Sequence, residues 1–219
     1  MKVAILSLTR DRLDYSKACF ASLQANAGCD YDHFVLDNGS KDGTPEWLAE
    51  QFQAGHITAY LLEPANVGIY RALNMMLNKV GGGYDVVVNF DNDCEVLVPD
   101  TLKAICELAV AHPGNVIGPV VNGLRKPPKI AGETWLRGMR VGLTPAIGGI
   151  FMPIPRGWRY PEGGRYVHAD GLVCAQARKE GRTVGQLLDY PVNHFETTDG
   201  QHKRFPSYFA RRRAEGIPG

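Results

Sequence analysis

The sequence lacks any apolar run long enough to cross a bilayer, since a membrane helix needs about 20 consecutive apolar residues and every such run here is shorter. It also lacks a CxxC pair, and its five cysteines are scattered and odd in number. This distribution argues against a disulfide scaffold and against a zinc knuckle. The apolar run at residues 3–6 has no small-residue cleavage site after it and predicts a first strand rather than a signal peptide. We therefore expect a soluble protein with reduced thiols in the cytoplasm.

Neither internal repeats nor a clear linker divide the 219 residues, which predicts a single domain over residues 1–219. Charge nevertheless differs along the chain. Residues 1–100 carry 14 acidic and 7 basic side chains, whereas residues 101–219 carry 9 acidic and 17 basic ones. The basic second half indicates either an anionic partner or an ordinary solvated surface.

Strand-like and helix-like patterns alternate along the first half of the chain. Short apolar runs predict strands at residues 3–8, 33–36, 57–62 and 85–90. Helical spacing predicts helices at residues 13–25 and 68–80, a third from Thr44 onward, and a fourth from Asp100 to about residue 112. Thr44 and Asp100 are expected to cap the third and the fourth. This alternation predicts an α/β fold with a mostly parallel sheet and helices on both faces. In such sheets ligands bind beyond the carboxyl ends of the strands.

The second half is less regular. Residues 122–135 are rich in Pro, Gly and Lys and predict a loop, in which Trp135 is expected to pack against the core. A helix is predicted from about Asp170 and a further strand at residues 183–190.

An acidic motif, Asp91-Asn92-Asp93, follows the most apolar predicted strand. Two carboxylates at this spacing repel each other unless a hard cation lies between them, which favours a site for Mg²⁺ or Mn²⁺. The alternative is an ordinary acidic turn, because Asp and Asn are common in turns.

Two further polar segments follow predicted strands. Residues 36–44 combine Asp37 and Asn38 with glycines that permit close approach of a ligand, so they predict either a nucleoside contact or an Asx-rich turn. Residues 66–74 open a helix with a glycine, a cation and two amides, which suit a pyrophosphate or serve as a helix cap.

Taken in order and spacing, these motifs resemble those of the family 2 glycosyltransferases over residues 1–200. The segment at residues 37–44 resembles the family's DDGSxDGT motif, and Asn66-Val67-Gly68 with Asn74 resembles its NxG motif. Asp91-Asn92-Asp93 resembles its DXD metal motif, Val167-His168-Ala169-Asp170 its ED segment, and Val192-Asn193-His194 its late histidine. The resemblance implies the GT-A fold, a Rossmann-like and mostly parallel sheet, with residues 1–120 binding nucleotide sugar and metal and residues 121–219 binding the acceptor.

The resemblance also implies roles for individual residues. Asp170 would be the general base, and Asp91, Asp93 and His194 would bind Mn²⁺ or Mg²⁺. The candidate residues for binding the donor, by default a UDP-sugar, are Thr9, Arg10, Asp37, Asn38, Asn66, Gly68, Arg71, Asn74, Asp91, Asn92, Gly149, Lys203 and Arg204. The last two belong to Gln201-His202-Lys203-Arg204-Phe205, which partly resembles a QxxRW motif, and they would close over the diphosphate as a mobile lid.

Two positions depart from the family's pattern: Asn38 replaces an aspartate, and Ala169 replaces the glutamate before the base. A nucleotidyltransferase would have a Gly-rich loop after the first strand, whereas this chain has Leu8-Thr9-Arg10-Asp11-Arg12. A non-catalytic module for sugar nucleotides is disfavoured because the carboxylates of both motifs are retained. The acceptor is open: the basic second half admits an anionic glycan or a modified base in nucleic acid.

Overall fold

A computed structural model of the protein describes residues 1–162, 169–196 and 198–217. Within these ranges no helix combines the length and the apolar character needed to cross a membrane. All five cysteines are free thiols, and four of them are buried. The predicted cytoplasmic location stays a prediction.

Strands and helices alternate through the first half of the chain, as predicted. The strands are β1 (Val3–Thr9), β2 (Asp32–Asn38), β3 (Ala59–Glu63), β4 (Val86–Asn89), β5 (Cys94–Val96), β6 (Val116–Asn122), β7 (Gly132–Leu136), β8 (Met139–Leu143), β9 (Met152–Ile154) and β10 (Val184–His194). The helices are α1 (Leu13–Asn26), α2 (Thr44–Gln53), α3 (Ile69–Val80), α4 (Thr101–Ala111), α5 (Ala169–Lys179), α6 (Thr198–Arg204) and α7 (Pro206–Ala214).

The central sheet has the strand order β3-β2-β1-β4-β9. Its first four strands are parallel, and β9 pairs antiparallel with β4. Strand β1 is buried along its length because each of its faces packs on helices. Val3 and Ile5 pack in the cluster that includes α1, α2 and α4, whereas Ala4 and Leu6 pack in the cluster that includes α3 and α5. The prediction of a mostly parallel sheet with helices on both faces is therefore confirmed.

A second sheet, which the sequence patterns did not predict, is organised around β10. This strand pairs antiparallel with β5 and β8 and parallel with β6, and β7 joins β8 as a hairpin. The prediction of a loop through residue 135 is wrong, because β7 begins at Gly132. Trp135 was also wrongly expected to pack: its side chain is 66% exposed. A short edge strand paired only with its hairpin partner carries too weak an apolar alternation to be recognised from sequence.

The two predicted helix caps are also corrected. Thr44 is the first residue of α2, and its N–H and hydroxyl both donate to the Asp42 carboxylate at 3.0 and 2.6 Å. Asp100 precedes α4 in a left-handed conformation, with φ 64°, and makes no side-chain capping bond. Asp42, two residues before Thr44, therefore accepts the backbone hydrogen bond at the start of α2, as was expected of the Thr44 hydroxyl.

His33, in β2, is a buried imidazole in the core. Its Nε2 lies 2.9 Å from the Ser7 hydroxyl, and its ring packs 4.5 Å from that of Phe20. Because Ser7 donates its own proton to the Phe90 carbonyl at 2.8 Å, its oxygen accepts from His33 Nε2. Burial lowers the pKa of His33 to about 3.

We predict that His33 makes the fold sensitive to mild acid. The unfolded state takes up a proton near pH 6.5 and the folded state does not, so stability is lost as pH falls from about 6.5 towards 3, by about 1.4 kcal/mol per pH unit. Urea denaturation between pH 7.5 and 5 measures this loss. His33→Gln should show a shallower decline, whereas the exposed control His56→Gln should follow the wild type. Parallel curves for all three proteins would contradict the assignment.

Candidate active site

A cavity of about 300 Å³ opens at the carboxyl ends of the central parallel strands. It is where the strand order of the sheet predicts a ligand site. The sequence-predicted residues that line it are Thr9, Arg10, Asn38, Asn66, Asp91, Asn92, Asp93, Gly149 and Asp170. Tertiary structure thus brings together side chains that are up to 161 positions apart in the sequence.

The wall formed by β1 and β2 is polar and preorganised. Thr9 donates to the Asp37 carboxylate at 3.0 Å, and the backbone N–H of Ser40 donates to the other Asp37 oxygen at 2.9 Å. Burial is the main reason why the pKa of Asp37 is raised, and the bonds from Ser40 and Thr9 oppose that rise. Asp37 itself is 1% exposed and does not line the cavity. It orients Thr9, which does.

The loop between β1 and α1 has an unusual backbone conformation. Asp11 and Arg12 are consecutive non-glycine residues in the left-handed region, with φ 52° and 58°. Such residues cost about 1–3 kcal/mol each and persist only where neighbours hold them. The segment after β2 supplies that hold: the Asp11 N–H donates to the Ser40 hydroxyl at 2.6 Å, and the Leu13 N–H donates to Asp42 at 3.1 Å. Part of the motif at residues 37–44 therefore shapes the neighbouring loop.

Asp91 borders the cavity and is exposed, unlike the partly buried Asp93. The Asn89 amide donates to it at 3.0 Å and to the Gly149 carbonyl at 2.6 Å. Desolvation by the surrounding protein, then the charge of Asp93, and to a smaller extent that of Asp170, raise the pKa of Asp91 well above its usual value. Three carboxylates are therefore concentrated at one end of the cavity, and their mutual repulsion favours a bound cation.

Asp93 is already balanced by two cationic or basic groups. One oxygen lies 3.1 Å from an Arg12 guanidinium nitrogen and 3.6 Å from His194 Nε2. Burial would raise the pKa of Asp93, but the contact with His194 and the charge of Arg12 outweigh burial, so this pKa lies below its usual range. The same contact with Asp93 raises the pKa of His194. His194 Nδ1 lies 2.6 Å from the Glu196 carbonyl, which leaves Nε2 directed at the acidic motif.

The donor chemistry of this cluster fits a hard divalent cation. Within the described ranges, no group of three or more His, Cys, Asp or Glu side chains is arranged so that it could hold a metal ion. Asp91, Asp93 and His194 nevertheless offer carboxylate oxygens and one imidazole nitrogen, which suit Mn²⁺ or Mg²⁺. Arg12 supplies the positive charge beside Asp93 in this structure.

Arg12 is the main functional candidate that sequence reasoning missed. Besides Asp93, its guanidinium contacts the Gln201 amide oxygen at 2.8 Å and Asn92 at 3.4 Å. It also lies over the Tyr208 ring, 5.0 Å from the centroid. Its position after a predicted strand was a signal, but only the left-handed backbone turns it into the cavity.

The remaining wall comes from the C-terminal segment, residues 198–217. Tyr208, Arg212 and Ile217 line the cavity. Glu215 forms an ion pair with Arg10 and accepts a hydrogen bond from Asn66 at 2.8 Å, and Arg211 forms an ion pair with Asp11. The C-terminal segment is therefore attached to the same loops that were predicted to hold the donor.

Several predicted donor-binding residues lie outside the cavity. Arg71 is exposed on α3, Gly68 precedes that helix with φ 87°, and both hydrogen-bonding ends of the Asn74 amide bond the Tyr160 backbone at 2.9 Å. Lys203 is exposed, and Arg204 pairs with Glu196 at 3.1 Å. Their roles towards a donor stay predictions, and the cation that α7 brings into the cavity is Arg212. Val167 and His168 of the predicted ED segment lie outside the described residues.

Solved structures share this fold at low sequence identity. GalNAc-T7 with UDP, GalNAc and Mn²⁺ superposes with a TM-score of 0.72 at 13% identity, over 88% of this chain and 43% of its own. The mannosyltransferase PcManGT from Pyrobaculum calidifontis, in complex with GDP-Man and Mn²⁺, gives 0.69 at 16% identity, over 97% and 64%. S. aureus TarS 1-349 in complex with UDP-GlcNAc gives 0.66 at 15% identity, over 90% and 59%.

The chain therefore spans between 43% and 64% of the lengths of these three proteins. No curated protein sequence matches it. The shared architecture makes its fold that of the GT-A glycosyltransferases. The model of glycosyl transferase family 2 matches residues 5–145, more than half of the chain. The protein belongs to glycosyl transferase family 2.

Gly149 gives the sharpest structural test of the cavity. A Cβ at this position would lie 2.6 Å from an Asp91 carboxylate oxygen and 2.7 Å from the Asn89 amide nitrogen, whereas a Cβ at Gly148 would meet nothing within 4 Å. We predict that Gly149→Ala lowers the free energy of unfolding by about 1–3 kcal/mol through overpacking, and that it displaces Asp91.

Thermal and urea denaturation of both variants measure this difference. Gly148→Ala is the matched control and should unfold within about 0.5 kcal/mol of the wild type, as a surface change does. Equal destabilisation of the two variants would show that the close packing of Gly149 against Asp91 is not what constrains this loop.

Proposed function

We propose that this protein is a metal-dependent, inverting glycosyltransferase that moves a sugar from a nucleotide-diphosphate sugar to an acceptor hydroxyl. Membership of glycosyl transferase family 2 supports the reaction class. The observation that carries the proposal is the meeting of Asp91, Asp93 and Asp170 in one cavity with the polar side chains that follow β1 and β2. An acidic turn without function would not share a cavity with a third carboxylate from a distant helix.

The proposed donor has its nucleoside near Thr9 and Asn38, with Asp37 orienting Thr9. Its diphosphate lies towards Asp91, Asp93 and His194, which would hold Mn²⁺ or Mg²⁺. When bound there, the metal supplies charge neutralisation for the leaving diphosphate. Arg10, Arg12 and Arg212 border the same cavity, and their guanidinium groups suit bidentate binding of phosphate oxygens.

Asp170 is the proposed general base. It lies in the first turn of α5, its carboxylate accepts a hydrogen bond from the Gly171 N–H at 2.9 Å, and it borders the cavity. In the proposed reaction Asp170 takes the proton from the acceptor hydroxyl. The acceptor oxygen forms a bond to the anomeric carbon while the bond from that carbon to the diphosphate oxygen breaks. The nucleoside diphosphate leaves, and displacement from the opposite side inverts the configuration.

UDP is the first nucleotide to test for the donor, with a hexose as the sugar. The solved relatives differ in this respect: GalNAc-T7 was crystallised with UDP, TarS with UDP-GlcNAc, and PcManGT with GDP-Man. A donor panel therefore has to contain both UDP-sugars and GDP-sugars.

We predict that one donor in this panel stabilises the protein only when Mn²⁺ or Mg²⁺ is present. At a donor concentration about 100-fold above Kd, binding to the folded state should raise Tm by about 5–10 °C. Asp93→Asn should abolish this shift because it removes a metal-binding charge. The control Asp30→Asn changes an exposed aspartate in the same way and should keep the full shift. Donor binding that is indifferent to metal would contradict the assignment of Asp93.

A second prediction separates catalysis from binding. Asp170→Asn should lower kcat by about 10²–10⁴-fold, the usual contribution of a general base, while Kd for the donor changes less than about twofold. Release of nucleoside diphosphate measures the rate, and titration calorimetry measures Kd. Glu180→Gln, which follows the far end of α5, is the control and should leave both values unchanged. A variant with nearly normal kcat would exclude Asp170 as the base.

A further inference from the structure

The loop that follows β6 begins next to the candidate metal residues and leads away from them. The Asn122 amide donates to the Asn193 side chain at 3.2 Å, and a Cβ at Gly123 would lie 3.1 Å from the His194 carbonyl oxygen. The loop ends against the second sheet, where Ile130 packs so closely over Gly142 that a Cβ there would lie 2.8 Å from it. Residues 123–131 therefore connect the candidate active site to the β7–β8 hairpin.

Positive charge is concentrated on this connection and at the tip of the β7–β8 hairpin. Arg125, Lys126, Lys129 and Arg137 are exposed, and across the described part of the chain none of them has an ion-pair or hydrogen-bond partner. Arg137 occupies the tip of the hairpin with φ 49°, followed by Gly138 with φ 76°. A turn of this type prefers Asn or Asp at that position. Four unpaired cations on one continuous segment favour an anionic partner over a self-contained structural role.

Trp135 lies on β7, between the loop and the hairpin tip, and adds an exposed aromatic side chain. Its side chain is 66% exposed, and it pairs across the hairpin with Arg140. Glu133 lies two residues earlier, on the same face of β7, and Arg140 contacts Glu133 at 4.0 Å and Asp189 at 3.2 Å. A flat apolar ring bordered by hydrogen-bonding carboxylates and a guanidinium suits the apolar face and the hydroxyl groups of a pyranose.

We propose that Arg125, Lys126, Lys129, Trp135 and Arg137 form a docking surface, the basic track, for an acidic glycan, an oligosaccharide that carries carboxylate groups. That the basic track acts as an acceptor subsite rests on the proposed function, whereas its binding of the glycan does not. Nucleic acid fits less well, because proteins that bind single strands stack successive bases on several aromatic rings, and this surface exposes one.

The test is calorimetric titration of the full chain, without donor or metal, against three probes of about ten units. The probes are oligogalacturonate, uncharged maltodextrin and oligothymidylate. We expect oligogalacturonate to bind about tenfold or more tighter than either of the others, and more weakly as salt rises, because the contacts replace bound counterions. Trp135→Ala and Lys126→Gln/Lys129→Gln should each weaken binding about fivefold to tenfold, while Trp135→Phe keeps an aromatic face and retains most of it.

Lys17→Gln/Lys79→Gln is the matched control, since it removes two exposed lysines from α1 and α3. The proposal is overturned if this control weakens binding as much as the track variants do, if maltodextrin binds as tightly as oligogalacturonate, or if none of the probes binds. Tighter binding of oligothymidylate that depends on Trp135 would assign the surface to nucleic acid instead. Glycan binding in a protein that binds no sugar nucleotide would leave the basic track standing and reject the proposed function.

Discussion

Negative charge at the carboxyl ends of the parallel strands is the constraint on which the rest of the site depends. The spacing of Asp91 and Asp93 makes each raise the cost of ionising the other. Arg12 and His194 offset that cost at Asp93, and the Asn89 amide and the close approach of Gly149 hold Asp91. A divalent cation would offset the same charge, which is the role proposed for an ion held by Asp91 and Asp93.

The C-terminal segment is positioned by contacts with the residues that balance this charge. Arg12 reaches Asp93 only from a left-handed backbone, and Gln201 and Tyr208 enclose its guanidinium. Glu215 and Arg211 then pair with the two residues that precede Arg12. Every side chain from 10 to 12 is thus tied to residues about 190 to 205 positions later. The loop between β1 and α1 and the C-terminal segment form one electrostatic unit, in which a change to either affects the shape of the cavity.

The second sheet connects this unit to the β7–β8 hairpin. Strand β10 ends at His194, beside the acidic motif, and earlier along its length it pairs with the hairpin that exposes Trp135. One strand therefore connects the surroundings of the cavity to the hairpin. The basic track, on the hairpin and the loop before it, holds four of the 17 basic residues of the second half, Arg125, Lys126, Lys129 and Arg137.

The sequence by itself determined the alternation of strands and helices in the first half, and hence the parallel sheet and the location of a ligand site at its carboxyl edge. Those features follow from local periodicity, as in β1 and α3, because the buried positions of a regular strand or helix are apolar residues at a fixed spacing in the sequence. The motif after β4 likewise predicted two carboxylates at the cavity. Tertiary structure alone decided which polar residues face that cavity: Asn74 binds backbone, Arg204 pairs at the surface, and Arg12, Tyr208 and Arg212 take the inner positions. It also decided that Trp135 is exposed, because β7 lies at the edge of its sheet and the sequence does not show which strands are at an edge. Contacts across about 200 residues depend on chain packing and on long-range charge, and neither leaves a periodic signal in the sequence.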